Sequence, residues 1–297
     1  MTAPAAMTRP AKVLLATDLG PRCDRALDRA AQLAKDWEAE LDIIHVIEEP
    51  LPAEQKVFDQ LHWRHPQDPV GRMRRRISED LAQDIEHTEA VQVHVATGNP
   101  ADRIVEAAKR EGCDLIVTGV ARDEPLGRAF IGTTVNQLVR RSSVPLLVVR
   151  ARARRPYSSI LVATDFSGRS GAALMTALAL FPDADFTAFH SLDLPHPPFA
   201  GEEFEQNFGS MKREEFAKFL ASTLIEPSKR EGIPLVVKRG DPEQTIPAFV
   251  QSHSVDLTVI GSHGRSALFD ALIGSTTSRL LECVEGDMLI VAGQEAG

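Results

Sequence analysis

Residues Ser159–Gly168 read SILVATDFSG and residues Lys12–Gly20 read KVLLATDLG, so one apolar run followed by Thr-Asp occurs twice. Asp18 and Asp165 occupy the same place in the two stretches, 147 positions apart. Four more blocks repeat in the same order at an offset of 142: GNPADRIVEAA with GDPEQTIPAFV, DLIVTG with DLTVIG, GTT with GST, and PLLVV with DMLIV. A repeat spacing of 142 to 147 residues is too long for a solenoid unit and is typical of a duplicated domain. We therefore predict two similar domains, residues 1–152 and 153–297.

The composition favours a globular cytoplasmic protein and excludes several classes of partner. Of the 297 residues, 43% are hydrophobic and 25% are charged, which suffices for a core in each half. The net charge of −9 divides into −3 and −6 for the two halves, so neither half has the basic surface of a nucleic-acid-binding domain. We find no secretory segment and no apolar stretch of the roughly 18 residues that a membrane helix needs. The three cysteines show no CxxC spacing, which suits a reducing compartment.

Each half alternates short apolar runs with amphipathic segments, as expected of a parallel sheet covered by helices on both faces. Asn99-Pro100 and Asp241-Pro242 each place a capping side chain before a proline, which predicts the start of a helix. The fold class is therefore α/β, with one doubly wound parallel sheet in each half. In the first half we predict strands at Val13–Thr17, Leu41–Ile47, Val91–Thr97, Asp114–Gly119 and Val144–Val149.

Three segments of the second half are predicted to meet beyond the carboxyl ends of the strands, where open α/β sheets bind their ligands. Ala163-Thr164-Asp165 follows the first strand, and His190-Ser191 ends the second. The third segment starts with IGSHGR at Ile260 and continues to Gly274-Ser275-Thr276. Asp165 is a suitable acceptor for ribose hydroxyls or for a phosphate-bound Mg²⁺.

The third segment has the chemistry of an anion site. Gly261 and Gly264 can adopt positive φ, and successive amides in such a turn form a concavity that binds anions. Gly274-Ser275-Thr276 opens the last helix, whose free amides and dipole favour phosphate. Either glycine alone would be explained by a simple turn, whereas the combination predicts a phosphate-binding loop.

Gly261-x-x-Gly264, followed after nine residues by Gly274-Ser275, resembles the G-x2-G-x9-G-(S/T) nucleotide motif of the universal stress protein family. Together with the LVATDFS opening, the resemblance covers essentially the whole second half. It implies a five-stranded parallel sheet, adenine nucleotide α-hydrolase-like, that binds ATP with Mg²⁺ or Mn²⁺. By position it implies that the nucleotide contacts Ala163, Thr164, Asp165, Ser191 (through its backbone), Ile260, Gly261, His263, Gly264, Arg265, Gly274, Ser275 and Thr276.

The same resemblance implies that two such domains pair through their last strands. In a tandem chain this pseudo-twofold dimer is expected to form internally, between Val144–Val149 and Leu289–Val291. A homodimer of whole chains is the other arrangement that the resemblance allows.

The first half departs from the nucleotide motif. It keeps Asp18, Gly119 and Gly132-Thr133-Thr134, but Arg122 replaces the second glycine and Asp123-Glu124-Pro125 follows it. A carboxylate pair repels a triphosphate, and an arginine disfavours the positive φ of the turn. We therefore expect a degenerate site that either is structural only or holds a different anion, with ATP binding as the less favoured alternative.

Other features are given mainly structural interpretations. His62 and His65 have a spacing that could hold zinc on a helix, but no further ligands complete the set. Arg150–Pro156 is a basic segment that we interpret as a linker. His45 and His190 end equivalent strands and are predicted to be packing or tautomer-locked residues.

Three functions are compatible with these features. The first is an ATP-binding, stress-responsive regulatory protein, in which the state of the Gly261–Gly274 loop alters the contact with an unknown protein partner. The second is a slow ATPase, although no Walker lysine and no clear general base is present. The third is a scaffold whose N-terminal half binds another ligand. An enzyme is thus the less favoured alternative.

Overall fold

The structure is a computed structural model and describes residues 9–19, 24–48, 69–84, 91–122, 129–130, 132–192, 202–262 and 275–292. The strands of the first repeat are β1 (Lys12–Thr17), β2 (Glu40–Ile47), β3 (Val91–Thr97), β4 (Leu115–Gly119), β5 (Ala121–Arg122), β6 (Ala129–Phe130) and β7 (Leu146–Val149). Its helices are α1 (Asp24–Trp37), α2 (Pro69–Asp84), α3 (Pro100–Glu111) and α4 (Thr133–Arg141).

The second repeat follows the same order of elements. Its strands are β8 (Ser159–Ala163), β9 (Asp185–Leu192), β10 (Leu235–Arg239), β11 (Leu257–Ser262) and β12 (Asp287–Ala292). Its helices are α5 (Gly168–Leu180), α6 (Glu202–Ser222), α7 (Pro227–Arg230), α8 (Pro242–Ser252) and α9 (Ser275–Cys283). Over the described ranges, the helices are too short or too polar to cross a bilayer.

One ten-stranded sheet runs through both repeats in the order β10-β9-β8-β11-β12-β7-β4-β1-β2-β3. Within each repeat the paired strands of this sheet are parallel. The strand order reverses between β1 and β4 in the first repeat and between β8 and β11 in the second. This arrangement confirms the predicted α/β class with two repeated five-stranded domains.

Two apolar cores lie on opposite faces of the sheet, and each core extends across both repeats. Val13 and Leu15 point into one core together with Ile160, whereas Leu14 and Ala16 point into the other. Because successive side chains of a strand face opposite ways, both sets must be apolar. This explains why the strand sequences are nearly continuous apolar runs.

The predicted helix starts are present in both repeats. Asn99 accepts a hydrogen bond from the amide of Asp102 at 3.2 Å at the start of α3. Asp241 accepts one from the amide of Glu243 at 3.2 Å at the start of α8. Each cap satisfies an amide that has no partner within its helix.

The aspartate that begins the repeated blocks DLIVTG and DLTVIG makes equivalent hydrogen bonds in the two domains. Asp114 accepts hydrogen bonds from the amides of Ala11 and Lys12, at 2.8 and 3.2 Å, where β1 begins. Asp256 accepts bonds from the amides of Ser158 and Ser159, each at 3.0 Å, at the start of β8. These aspartates therefore connect the first strand of each domain to its fourth strand.

The two domains join through an antiparallel pairing of their last strands. Val148 of β7 lies opposite Met288 of β12, and Leu146 lies opposite Ile290. All four side chains are at most 2% exposed. The expected internal pairing of the two domains is thus confirmed. The boundary between residues 152 and 153 stays a prediction.

A fully buried carboxylate, Asp287, fixes this junction. Its Oδ1 accepts hydrogen bonds from the amides of Arg150 and Ala151, at 2.7 and 2.8 Å. Its Oδ2 accepts a bond from the hydroxyl of Tyr157 and lies 3.6 Å from Nε of Arg29, which is on α1 of the other domain. The Arg29 guanidinium also stacks on the Tyr157 ring, 4.0 Å from its centroid. Burial and the Asp287 carboxylate raise the pKa of Tyr157, so the phenol stays protonated as a donor.

Replacing Asp287 with alanine is expected to lower the free energy of unfolding by about 3–5 kcal/mol, because Arg29 would keep a buried charge without its counter-ion. Asp183→Ala is the matched control, because that carboxylate is 95% exposed in its ion pair with Arg9. The control should change stability by no more than about 0.5 kcal/mol. Urea unfolding followed by circular dichroism measures both variants. Equal midpoints for the two variants would show that the junction does not depend on Asp287.

Candidate functional site

A cleft of about 250 Å³ opens beyond the carboxyl ends of β8, β9 and β11. It lies where the strand order reverses, which is the expected ligand position in a sheet of this kind. Helices α5, α8 and α9 supply the rest of its wall. The described residues that line it are Ala163, Thr164, Asp165, Ser167, Arg169, Ser170, Phe189, His190, Ser191, Pro242, Ile246, Ile260, Gly261, Thr276, Thr277 and Leu280.

The turn after β8 is strained and is held by a threonine. Phe166 has a φ of 63°, an unusual value for a bulky residue. Thr164 stabilises this conformation because its hydroxyl accepts a hydrogen bond from the amide of Phe166 at 3.0 Å. The first domain repeats the arrangement, with Leu19 at a φ of 63° and its amide 3.0 Å from the hydroxyl of Thr17.

The strained turn places the Asp165 carboxylate at the mouth of the cleft. Its Oδ1 accepts a hydrogen bond from the amide of Ser167 at 3.0 Å, and Ser167 in turn caps α5. Partial desolvation raises the pKa of Asp165, but hydrogen bonds from Ser167 and Ser170 outweigh it and the net shift is downward. Asp165 is therefore an ionised acceptor at neutral pH.

His190 locks the same turn from the neighbouring strand. Its Nδ1 lies 2.7 Å from the carbonyl oxygen of Thr164, and since a carbonyl only accepts, Nδ1 carries the proton. The Phe166 ring stacks on the imidazole at 4.4 Å between centroids. His45 makes the equivalent contact with Thr17, at 3.0 Å. Both histidines are thus tautomer-locked, in agreement with that part of the prediction, whereas their lack of a catalytic role stays a prediction.

Ser191 uses its hydroxyl within the protein. The Ser191 Oγ lies 2.8 Å from Oγ1 of Thr245, which itself donates to the carbonyl of Asp241 at 3.0 Å. The single proton of the Ser191 hydroxyl is therefore not available to a ligand, and a backbone contact between Ser191 and a nucleotide stays a prediction.

The structure explains the glycine at position 261 by close packing of a neighbouring helix, not by the positive φ that the sequence predicted. We expected a positive φ, but Gly261 continues β11 and is not among the residues with positive φ. A Cβ at this position would lie 2.9 Å from the carbonyl oxygen of Arg169 in the first turn of α5. The missing side chain thus allows α5 to approach β11 closely beside the cleft.

Helix α9 brings its N-terminal turn to the cleft. Thr276 and Thr277 line the wall, and the helix begins at Ser275 with no acidic residue in its first turn. The first amides of a helix have no intrahelical partner and attract anions. This end of the cleft is therefore suited to a phosphate.

Seven of the twelve predicted site residues line this one cleft: Ala163, Thr164, Asp165, Ser191, Ile260, Gly261 and Thr276. Ser275 begins the adjacent helix, and His263, Gly264, Arg265 and Gly274 lie outside the described residues. Their contacts with a nucleotide stay a prediction. The sequence reasoning did not identify the hydroxyls of Ser167 and Ser170, although Ser167 directly follows the DF dipeptide and Ser170 comes three residues later.

The first domain has a different structure after its fourth strand. Arg122, at the position of the second motif glycine, pairs with Ala129 in the short antiparallel hairpin of β5 and β6. Arg122 is thus in an extended conformation, as expected for a residue that disfavours the positive φ of the motif turn. Asp123, Glu124 and Pro125 lie outside the described residues.

Comparisons with known proteins point to the same family over nearly the whole chain. Residues 11–150 and 156–292 each match the model of the universal stress protein family. A universal stress protein of Mycolicibacterium smegmatis is 24% identical over 296 residues, covering 94% of this chain and 96% of that protein. Universal stress protein YxiE of Bacillus subtilis is 29% identical over 147 residues, covering 47% of this chain and 98% of its own. The crystal structure of an Archaeoglobus fulgidus universal stress protein covers 95% of this chain and 98% of its own, with a TM-score of 0.66 and 17% identity, a likeness in fold.

Gly261→Ala is expected to lower the free energy of unfolding by about 1–3 kcal/mol, because the new methyl group meets the backbone of α5. Gly286→Ala is the matched control, since a Cβ there meets nothing within 4 Å. Both changes restrict the unfolded chain equally, so the control should be neutral or stabilising by up to about 1 kcal/mol. Urea unfolding of the two variants tests the close approach, and equal stabilities would contradict it.

Proposed function

We propose that this chain, which belongs to the universal stress protein family, is a stress-response protein whose C-terminal domain binds ATP. The observation that carries the proposal is the convergence, in one cleft, of an ionised aspartate, strand-end backbone and a helix N-terminus. The G-x2-G-x9-G-S motif runs from Gly261 in β11 to Ser275 at the start of α9, so it connects the strand end to the helix N-terminus. A cytoplasmic location belongs to the same proposal.

The described walls of the cleft fit the parts of a nucleotide. Ala163, Phe189, Ile246, Ile260 and Leu280 supply an apolar surface for a purine base. The Asp165 carboxylate can accept hydrogen bonds from ribose hydroxyls, which are donors. The amides at the start of α9 and the hydroxyl of Thr276 suit phosphate oxygens.

A divalent cation would be held mainly by the phosphates. Among the described residues that line the cleft, Asp165 is the single carboxylate, which is too few for a cage made by the protein alone. Mg²⁺ or Mn²⁺ would neutralise charge on the phosphate oxygens. Asp165 and the threonine hydroxyls of α9 are the groups present to support it.

The site favours binding over hydrolysis. Asp165 is a weak base because hydrogen bonds lower its pKa. The sequence also lacks a Walker lysine, and we propose that bound ATP acts as a signal in contact with a protein partner.

Asp165→Ala is expected to weaken the binding of MgATP at least about tenfold, since hydrogen bonds to a charged acceptor contribute about 1.5–3 kcal/mol. Asp18→Ala is the matched control, because Asp18 follows β1 at the equivalent position of the other domain. The affinity of the Asp18→Ala variant for MgATP should stay within about twofold of that of the unmodified protein. Isothermal titration calorimetry measures both variants, and circular dichroism verifies their folding.

Equal effects of Asp165→Ala and Asp18→Ala would contradict the assignment of the site to the C-terminal domain. Phosphate release, followed in the same samples, separates the binding function from a slow ATPase. The proposal predicts intact ATP after prolonged incubation. Turnover that disappears in Asp165→Ala would instead identify an enzyme.

A further inference from the structure

Three potential metal ligands meet in the N-terminal domain, away from its carboxyl-end loops. Asp42 belongs to β2, His94 to β3, and Glu111 is the last residue of α3. His94 Nε2 lies 3.1 Å from Asp42 Oδ2, and His94 Nδ1 lies 4.0 Å from Glu111 Oε1. One ligand atom of each residue can be chosen so that all three lie within 4.8 Å of one another.

Asp42 is an unusual residue for the middle of an apolar strand. Its side chain is 0% exposed, and its Oδ1 has no hydrogen-bond partner among the residues that the structure describes. The Lys12 ammonium is 3.9 Å from Oδ2, but it lies closer to Glu40, at 2.7 Å. A buried carboxylate oxygen without a partner is costly, which indicates that a cation compensates it.

The fold itself does not require this cluster, because the second domain lacks all three residues. The equivalent positions, aligned through His45 with His190 and through Gly98 with Gly240, hold Thr187, Val236 and His253. Thr187 and Val236 occupy the same places in β9 and β10 as Asp42 and His94 in β2 and β3. The second domain builds the same sheet with neutral side chains at both strand positions.

We propose that Asp42, His94 and Glu111 bind a divalent transition-metal ion of the zinc type. One imidazole and two carboxylates form a ligand set that zinc uses, with a water molecule in the fourth position. Ligand atoms of a tetrahedral site with bonds of about 2.0–2.1 Å are about 3.3 Å apart. The separation of 3.1 Å between His94 Nε2 and Asp42 Oδ2 fits this geometry. Glu111, with a ligand atom within 4.8 Å of the other two, has to move closer to become the third ligand.

Solvent can reach the cluster from one side. His94 lines a cleft of about 300 Å³, whose wall also contains Arg74, Arg103 and Arg110. Two of these guanidinium groups are paired, Arg103 with Glu106 and Arg110 with Glu111, each at 2.7 Å. Glu111 keeps a second carboxylate oxygen for a metal. The cleft supplies the entry path that a metal site needs.

Titration of the full-length protein with Zn²⁺ alone, by calorimetry without nucleotide, tests the proposal. His94→Val copies the second domain and should lower the affinity for one zinc ion about a hundredfold or more, since even outer-shell changes cost 10–100-fold. Asp42→Asn keeps the shape of the side chain and should have a similar effect. Circular dichroism must show that at least one of these variants is folded.

Two further variants distinguish a metal site from a structural ion-pair cluster. Lys12→Met removes a positive charge 3.9 Å from Asp42 and should strengthen zinc binding, whereas a structural cluster predicts no gain. The double variant His62→Ala and His65→Ala removes the other histidine pair and should bind zinc normally. Zinc binding that survives in His94→Val and Asp42→Asn, or that is lost in the His62/His65 variant, would overturn the proposal.

Discussion

The antiparallel pairing of β7 with β12 is the constraint on which the arrangement of the molecule depends. It joins two parallel sheets into one, and the buried Asp287 fixes it by binding the linker amides, Tyr157 and Arg29 together. Because the two sheets run in opposite directions, their carboxyl ends lie at opposite edges of the ten-stranded sheet.

The two domains share the parts that build the scaffold and differ in the parts that could bind a ligand. The strained turn after the first strand, its threonine and its histidine are present in both domains. In contrast, Arg122 forms a hairpin where the second domain has the glycine motif. Asp42, His94 and Glu111 occur in the first domain alone. Duplication thus left one domain with a nucleotide motif and the other with a separate polar cluster.

The sequence predicted the strands and the helix caps because these follow from local patterns that occur twice, whereas the pairing of the domains was implied by the family resemblance. It did not predict why Gly261 lacks a side chain, since the close contact comes from Arg169 on a distant helix. Asp287 was not recognised either, because its partners come from the linker and from the other domain. The cluster around Asp42 joins three separate elements, and no spacing in the sequence reports it.

The central claim is that one chain holds one ATP molecule, in its C-terminal domain. Native mass spectrometry of the full-length protein, titrated with ATP and Mg²⁺, counts the bound nucleotides directly. The account predicts a single nucleotide per chain at saturation, and none in a Gly264→Arg variant that copies Arg122 into the second domain. Two nucleotides per chain, none at all, or one that persists in the variant would contradict it.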